Sequence, residues 1–574
     1  MTETAFEQIR GLTVLQPSAT TELSCELLDG DLVQVNASAD DRRPSVRLEV
    51  DLADAAGYWQ PAGRSHRLLP PDWAGSTVTS LVRSAPVGAL YDASGRVLLG
   101  WAAGEAVSEL EVTYGVSEER KSFLVQVRPT RPLAADLTIV LDGSRAALVD
   151  TLGRLCTWMS EQCTAEPLVP PPVTRRPVYS TWYTFSQDVN AELVSSEASL
   201  AAGLGCGSVF IDDGWQRYGH GRGYRGCGDW LPDLAKFPDL AGTVDSLHGA
   251  GFAAALWIAP LLLGTGSDVY DRLRRFAPHS VPSLNCQVLD PRHDDVRRFA
   301  VETCLRLVED YHVDLLKIDF LDQAMVYDAA SGAVADVPDV GYAMAELLAD
   351  LRQELADAGQ AAVAFEFRQP YVSPAVARYG QILRAGDCPG DSIVNRTSTI
   401  DARLVSVGQV VHSDPMMWGP EGGAEAVAQQ LYAGWFGVPQ ISMRLSALSS
   451  EQSRALRGLL ALWNDHAAVT LDGALDVRGA EQGYPLVQAT RVDLRRTVTV
   501  RYAPLVVDLP AQADHETTIL NATPDPRLVI RTAHPIRKAV LRRADASETS
   551  TSAVGGSGLI ELTVPPFGSI SLST

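Results

Sequence analysis

The chain has 574 residues, with 48 Lys and Arg against 70 Asp and Glu and a formal net charge of −22 at pH 7. Such a surface repels phosphate backbones and anionic lipid, so nucleic acid and membrane surfaces are excluded as partners. The length exceeds what one ordinary core accommodates and predicts about three domains.

The start of the chain and its cysteines bear on the compartment. The segment MTETAFEQIRGLTVLQP has no basic stretch followed by an apolar run, and nowhere do 18 apolar residues follow one another. The eight cysteines are scattered, without a CxxC pair or histidines at zinc spacing. These features predict a cytoplasmic protein with mostly buried thiols.

Two regions precede the centre of the chain. Over residues 1–145, short β-rich runs such as SVRLEVDL and KSFLVQVRP are broken by Gly, Pro, Asp and Asn, which predicts a β-sandwich. Residues 146–176 then combine a helical stretch, AALVDTLGRLCTWMSEQC, with the proline-dense segment PLVPPPVTRRP. We interpret this second region as a helical linker between domains.

From residue 177 to 468, apolar strand-like runs alternate with longer helical segments. The eight predicted strands are VYSTWYTF (178–185), SVFIDD (208–213), FAAALWI (252–258), VDLLKID (313–319), AVAFEF (362–367), QILRAG (381–386), QVVHS (409–413) and PQISMRL (439–445). This pattern predicts a (β/α)₈ TIM barrel. A doubly wound open sheet is the alternative, but no Gly-rich phosphate loop follows the first strand.

Residues 469–574 again contain short strand-like runs, for example RTVTVRYAPLVVDL and LIELTVPP. They predict a C-terminal antiparallel β-sandwich. The Ser-rich and Gly-rich patch ASETSTSAVGGSG (546–558) predicts a surface loop within it.

Carboxylates occupy the ends of several predicted barrel strands, which is where barrel enzymes place their reactive groups. Strand four ends in Lys317-Ile318-Asp319, and residues two apart on a strand point to the same side. The Lys317 ammonium favours an ionised Asp319, as a nucleophile needs. A buried ion pair without chemistry is the alternative interpretation.

Asp387 is the candidate partner of Asp319. It lies in RAGDCPGDS, where Gly386 and Pro389 break strand six and expose a loop. Cleavage of a glycoside needs two carboxyl groups, one to attack or to activate water and one to protonate the leaving oxygen. Asp319 and Asp387 are therefore predicted to form such a pair, although an Asp in a Gly-Pro loop also suits a turn.

An acidic doublet, Asp212-Asp213, ends strand two and is followed by Gly214 and Trp215. Carboxylates that only accept hydrogen bonds, next to an aromatic face, suit a polyhydroxylated ring whose hydroxyl groups donate and whose C–H face stacks. The candidate faces are Trp182, Trp215, Trp230 and Trp257. An isolated Trp is also common in protein cores.

Several motifs occur together and in order: FIDDGWQ, GDWLPDLAKFPDL, LHGAGFAAALWIAP, LLKIDF and AGD. Together they resemble glycoside hydrolase family 36, the bacterial α-galactosidases, in the clan that also holds families 27 and 31. The resemblance implies an N-terminal β-supersandwich, a catalytic barrel and a C-terminal β-sandwich. It also implies a retaining exo-glycosidase that needs no metal or organic cofactor and acts on an oligosaccharide or small glycoside.

The resemblance assigns roles residue by residue. Asp319 matches the nucleophile and Asp387 the acid/base. The residues that match sugar contacts are Lys317 of the Lys-x-Asp motif, Asp212 and Asp213 as carboxylates for galactose O4 and O6, and Trp182 after strand one. Strand five departs from the family, since FEFRQPYVSP stands where a Cys-x-Gly-Gly-Gly-x-Arg loop is usual.

Further substrate contacts are predicted from strand-end positions: Trp215, Trp257, Glu366, Arg368, Arg384, Asp391 and His412. Because the departure in strand five concerns sugar recognition, a β-L-arabinopyranoside, α-N-acetylgalactosaminide, α-glucoside or α-xyloside substrate stays open, as does transglycosylation. A non-catalytic carbohydrate-binding protein is a further alternative, and dispersed histidines argue against a metal-dependent hydrolase. Related enzymes often assemble, so both a monomer and a homo-oligomer stay open, with the N-terminal domain as the candidate contact surface of an oligomer.

Overall fold

A computed structural model describes residues 5–9, 12–15, 21–28, 31–61, 67–163, 166–328 and 335–574. The N-terminal strands form two antiparallel six-stranded sheets, in the orders β1-β2-β5-β11-β10-β7 and β3-β4-β12-β9-β8-β6. Their bounds are β1 Ala5–Ile9, β2 Leu12–Leu15, β3 Thr21–Leu27, β4 Leu32–Ala39, β5 Val46–Asp51, β6 Ala55–Trp59, β7 Gly75–Thr79, β8 Val87–Asp92, β9 Val97–Ala103, β10 Leu110–Ser117, β11 Ser122–Pro129 and β12 Leu137–Asp142.

The two sheets enclose an apolar core. Along β5 the buried positions Val46, Leu48 and Val50 alternate with partly or fully exposed polar residues, as expected for a strand with one face on the core. Helix α1 (Leu148–Glu161) follows the sandwich. The buried ion pair between Arg67 and Asp401 then links the sandwich to a barrel helix.

Eight parallel strands form the central sheet. They are β13 Val178–Ser180, β14 Ser208–Ile211, β15 Ala253–Ile258, β19 Leu315–Ile318, β20 Ala364–Arg368, β21 Ile382–Arg384, β22 Val410–His412 and β23 Gln440–Ile441. The order β22-β21-β20-β19-β15-β14-β13-β23 is consecutive except that β23 pairs with β13. Bridges from His412 to Val438 and from Met416 to Ile441 nearly close the ring between β22 and β23. The predicted TIM barrel is confirmed, and the open-sheet alternative is wrong.

The barrel helices surround this ring, and a small sheet inserts after β15. The helices are α2 Trp182–Phe185, α3 Ala191–Ala202, α4 Leu240–Gly249, α5 Tyr270–Leu273, α6 Asp294–Tyr311, α7 Val340–Asp357, α8 Ser392–Val405, α9 Ala424–Ala433 and α10 Ser450–Asp472. The inserted strands are β16 Leu262–Leu263, β17 His279–Val281 and β18 Cys286–Val288. The predicted domain limit at residue 468 falls within α10, and the predicted limits stay predictions.

The first barrel strand is shorter than predicted. It ends at Ser180, and α2 (Trp182–Phe185) follows where the sequence predicts continued strand. Thr181 is helical at φ −82° and ψ −10°, and its carbonyl accepts the Phe185 N–H at 2.9 Å. This turn carries Trp182 to the carboxyl end of the barrel.

The C-terminal region forms a seven-stranded and a three-stranded sheet. The bounds are β24 Ala474–Arg478, β25 Leu486–Arg491, β26 Arg496–Arg501, β27 Val507–Asp508, β28 Glu516–Asn521, β29 Arg527–Thr532, β30 Ile536–Arg542, β31 Glu548–Val554, β32 Gly558–Thr563 and β33 Ser569–Ser573. Most pairs are antiparallel, although β26 with β28 and β27 with β29 are parallel.

One expectation for this region is wrong. The patch 546–558 was expected as a loop, but β31 pairs with β30 across most of it, because Ser and Thr can fill a strand as readily as a loop. The predicted three-part fold class is otherwise confirmed. Six of the eight cysteines are buried. Among the described residues no helix is long and apolar enough to cross a membrane, and a cytoplasmic location stays a prediction.

Candidate active site

A pocket of about 380 Å³ opens at the carboxyl ends of the barrel strands. It is lined by Trp182, Asp212, Asp213, Tyr224, Trp257, Lys317, Asp319, Phe320, Asp322, Arg368, Gln369, Pro370, Arg384, Gly386 and Asp387. Five of these residues carry carboxylates and three carry cations. The pocket wall is therefore rich in hydrogen-bond acceptors and has a negative net formal charge.

Asp319 follows β19 and is held by donors on both carboxylate oxygens. Its Oδ1 accepts from Arg368 Nε at 2.5 Å and from the Phe320 N–H at 2.7 Å. Its Oδ2 accepts from Trp257 Nε1 at 3.1 Å. Burial alone would raise the pKa of Asp319, but Arg368 and Lys317 outweigh burial and lower the pKa to about 2. Asp319 is therefore ionised at any pH well above 2.

Lys317 lies two residues before Asp319, as predicted, but its direct partner is a different carboxylate. Its Nζ lies 2.5 Å from Asp212 Oδ2, and both side chains are almost fully buried. Burial raises the pKa of Asp212, with Lys317 as the main opposing influence. Lys317 thus joins strands β14 and β19 at the floor of the pocket and acts on Asp319 at longer range.

Asp213 is held by neutral donors. Its oxygens accept from Gln216 Nε2 at 2.6 Å and from Gln187 Nε2 at 2.8 Å. Since no cation among the described residues contacts it, burial raises the pKa of Asp213 to about 7. The close approach of Gln187 depends on Gly214, which has φ +117° and where a Cβ would lie 2.6 Å from Gln187 Cα.

Asp387 differs from the other carboxylates because its side chain is 55% exposed. Its Oδ1 accepts from Arg384 Nη2 at 2.8 Å. Burial would raise the pKa of Asp387, but Arg384 reverses that effect, so the pKa lies below its ordinary value. In the part of the chain that the structure describes, Asp387 thus has one charged partner, Arg384, and its second oxygen accepts no hydrogen bond.

Arg384 is shared among several carboxylates behind the pocket. Its guanidinium also pairs with the fully buried Asp414, and its Nε lies 3.5 Å from Glu366 Oε1. Asp414 accepts in addition from Tyr183 OH at 2.9 Å and from the Cys388 N–H at 2.8 Å. Burial raises the pKa of Asp414 to about 7 in spite of Arg384.

Aromatic rings form one wall of the pocket. Tyr224 stacks on Trp257 with ring centroids 5.9 Å apart, and Phe320 meets both rings edge-on. Trp182, on α2, also lines the pocket. Such a wall can stack against the C–H face of a sugar ring.

The structure does not place four of the predicted substrate contacts on the pocket wall. Trp215 is fully buried and donates its indole N–H to the Trp257 carbonyl, so it supports the aromatic wall from behind. Glu366 and His412 contact each other at 3.1 Å beneath the pocket floor. Asp391 accepts from the Ile393 and Val394 N–H groups and caps α8. None of these four residues lines the pocket, and their predicted contact with a substrate stays a prediction.

Sequence reasoning missed other residues of the site. Asp322 and Gln369 line the pocket, and Asp414 lies behind it. A strand-end rule would have identified Asp414, because it stands two residues after β22 ends at His412. For Asp322, the only indication in the sequence was its position three residues after Asp319. Gln369 follows a strand whose sequence does not match the family motif, so nothing in the sequence indicated that Gln369 lies at the pocket.

A family profile described as melibiase matches residues 172–352, a segment that contains strands β13, β14, β15 and β19. α-Galactosidase AgaA of Geobacillus stearothermophilus is 29% identical over 153 residues, 25% of this chain and 21% of the relative. The α-galactosidase of Escherichia coli is 26% identical over 167 residues, 28% of this chain and 23% of the relative. The aligned part thus spans about a fifth of the length of these curated relatives.

Solved structures match far more of the chain. Family 36 α-galactosidase AgaA of Geobacillus stearothermophilus, as a variant in complex with stachyose, superposes with a TM-score of 0.65 over 98% of this chain and 81% of that one, at 14% identity. TtGalA, the α-galactosidase of Thermus thermophilus, gives a TM-score of 0.55 over 84% of this chain and 97% of that one, at 17% identity. At these sequence identities the structural similarity shows a shared fold.

Fold and pocket together define a multidomain barrel protein whose architecture resembles that of α-galactosidases. The predicted resemblance to glycoside hydrolase family 36 is confirmed by the melibiase segment and by these structural neighbours.

Proposed function

We propose that this chain is a retaining exo-glycosidase of α-galactosidase type. The observation that carries the proposal is the pairing of two unlike carboxylates on one small pocket, Asp319 fixed in its ionised form and Asp387 open to solvent. The pocket volume of about 380 Å³ lies near the lower end of the range of roughly 300–1,000 Å³ usual for ligand sites. A volume of that size suits one terminal sugar ring.

The first step forms a glycosyl-enzyme. An Asp319 oxygen attacks C1 of the sugar, the electron pair of the C1–O bond goes to the leaving oxygen, and Asp387 supplies the proton that this oxygen needs. The donors on Asp319 keep it ionised and oriented for attack. In the second step Asp387 takes a proton from water as the water oxygen attacks C1 and releases Asp319.

Asp212, Asp213 and Trp182 are proposed to bind the sugar. Asp212 is held by Lys317 and Asp213 by two glutamine amides, so both are oriented, and each carboxylate oxygen can accept a second hydrogen bond. Hydroxyl groups of a neutral sugar are matching donors. The printed names of the relatives are those of α-galactosidases, and one neighbour is in complex with p-nitrophenyl α-D-galactopyranoside, which supports galactose as the terminal sugar.

The test is a panel of aryl α- and β-glycosides with the product anomer followed by NMR. We expect hydrolysis of the aryl α-galactoside, with α-galactose as the first product. Turnover of a different sugar with retention would change the substrate but keep the mechanism. A β-anomer as first product, or an absence of turnover across the panel, would contradict the proposal.

A further inference from the structure

The feature that the proposed reaction leaves unused is Asp414, a buried carboxylate behind the pocket wall. It is 0% exposed and stands after β22, on the side of Arg384 away from the pocket. Its partners are Arg384, the Tyr183 hydroxyl and the Cys388 N–H. Two of these touch Asp387 or its chain, since Arg384 binds Asp387 and Cys388 is its next residue. Asp414 therefore fixes Asp387 through two separate contacts.

We propose, resting on the acid/base role of Asp387 given above, that Asp414 is a positioning residue for proton transfer. It shares Arg384 with Asp387, and its charge allows the two carboxylates together to keep the proton that Asp387 delivers to the glycosidic oxygen.

Among the described residues, Arg384 is the one cation in direct contact with several carboxylates of this cluster. One guanidinium, 1% exposed, faces three carboxylates, those of Asp387, Asp414 and Glu366. Like charges that share a site cannot all ionise without a large cost, so such a group retains a proton to higher pH than an isolated carboxyl. The retained proton belongs to the coupled group and not to one member.

The same contacts indicate how the removal of Asp414 would change the charge balance around Arg384. Arg384 would then direct its charge at Asp387 with less opposition, and an unopposed cation favours the ionised carboxylate. The pKa of Asp387, which Arg384 already lowers, would fall further, and Asp387 would fail as an acid at a pH where the native protein still works.

Other polar and charged groups surround the cluster of Arg384, Asp387 and Asp414. Tyr183 comes from α2, Cys388 from the loop after β21 and Asn395 from α8, where Asn395 Oδ1 accepts the Asp414 N–H at 3.1 Å. Beyond Arg384 lie Glu366, His412 and the Lys317–Asp212 pair, all buried. None of these groups changes when Asp414 is replaced by Asn. The substitution removes one charge and the acceptor of Arg384, while the amide oxygen keeps an acceptor for Tyr183 and Cys388.

The test compares Asp414→Asn with the unaltered protein on the aryl glycoside it cleaves best. We expect the alkaline limb of the pH profile of kcat/KM to move down by about one pH unit or more, the effect of a charge within a few Å. The matching glycosyl fluoride, whose leaving group needs no acid, is expected to lose much less rate. A uniform loss at all pH values, or equal losses on both substrates, would overturn the proposal and leave Asp414 a structural residue.

A control and a second variant separate folding from charge. Glu197→Gln removes another buried carboxylate of the barrel, one bonded by Ser446 and the Leu445 N–H, and is expected to leave the pH limb in place. If Asp414→Asn does not fold, Tyr183→Phe removes a donor to ionised Asp414 and is expected to shift the limb in the same direction by less. A limb unmoved in Tyr183→Phe would then overturn the proposal.

A readout that needs no turnover keeps this proposal distinct from the proposed function. Carbodiimide modifies protonated carboxyl groups, and mass spectrometry follows its reaction with the exposed Asp387 against pH. The midpoint for Asp387 is expected at lower pH in Asp414→Asn, and an unchanged midpoint would overturn the proposal. The panel of glycosides on the unaltered protein tests the proposed function separately.

Discussion

The two proposed catalytic carboxylates lie on one pocket in opposite environments. Asp319 is 8% exposed and bonded by Arg368, Trp257 and the Phe320 N–H. The Asp387 side chain is 55% exposed and has one charged partner, Arg384. A residue that must stay ionised is surrounded by donors, whereas a residue that must gain and lose a proton is left open on one side. This difference in environment is the basis for proposing Asp319 as the nucleophile and Asp387 as the acid/base. Each prediction below changes the environment of one of them or tests a neighbouring residue.

The largest effect is expected from Asp319→Ala. Removal of the attacking carboxylate should lower kcat on the order of 10⁶-fold, the scale seen when a covalent nucleophile is removed. Steady-state kinetics on an aryl glycoside measures it, and circular dichroism checks the fold. An Asp319→Ala protein with normal rates would rule out the mechanism.

The next largest effect is expected from Asp387→Asn. Loss of a general acid should cost roughly 10²- to 10⁴-fold on a substrate with a poor leaving group and far less on one with an activated leaving group. The ratio of the two losses is the measurement. Equal losses for both substrates would mean that Asp387 does not donate a proton.

A smaller effect is expected from Arg368→Met, which removes the strongest cationic influence on Asp319. Because Arg368 lowers the pKa of Asp319, its loss should raise that pKa, so the acid limb of kcat/KM should move up by about one pH unit. Arg275→Met, at an exposed Arg that stacks on Phe276, is the matched control and should leave the profile unchanged. An unmoved acid limb in Arg368→Met would place the control of Asp319 elsewhere.

The smallest effect is expected from Asp391→Ala, which tests the corrected position of Asp391. As the N-cap of α8 it should contribute about 1 kcal/mol to the free energy of unfolding and little to kcat/KM. Denaturant unfolding compares it with Asp239→Ala, the N-cap of α4. A change in KM without a change in stability would restore Asp391 as a substrate contact.

Much of the barrel could be predicted because its signals are local. Apolar runs of four to eight residues mark buried parallel strands, and the carboxyl ends of such strands converge on one side. Asp212, Asp213, Lys317, Asp319 and Asp387 therefore meet on one pocket as the strand order implied.

The errors arose where conformation depends on contacts far along the chain. WYTF reads as strand by propensity, but the Tyr183 and Thr184 N–H groups bond to Ser442 Oγ, some 260 residues away, and the segment is helical. Arg368 lines the pocket, so its predicted sugar contact stays a prediction, but its contacts with Asp319, Phe320 and Tyr371 were not foreseen. No spacing in the sequence indicates these contacts.

His412 and Asp414 show a different limit. Both lie at the end of β22, and the sequence favoured His412 because a histidine suggests chemistry. In the structure His412 is fully buried and bonded to Glu366 and the Thr174 carbonyl, while Asp414 faces Arg384. Residues two apart share a side only on a regular strand, and β22 ends at His412, so the direction of Asp414 does not follow from strand periodicity.

The most direct test of the account is covalent trapping with a 2-deoxy-2-fluoro glycosyl fluoride of the sugar that the panel identifies. Such a reagent forms the glycosyl-enzyme and slows its hydrolysis, so peptide mass spectrometry can locate the label. The account predicts one label, on Asp319. A label on Asp387, on Asp322 or on another residue would contradict it.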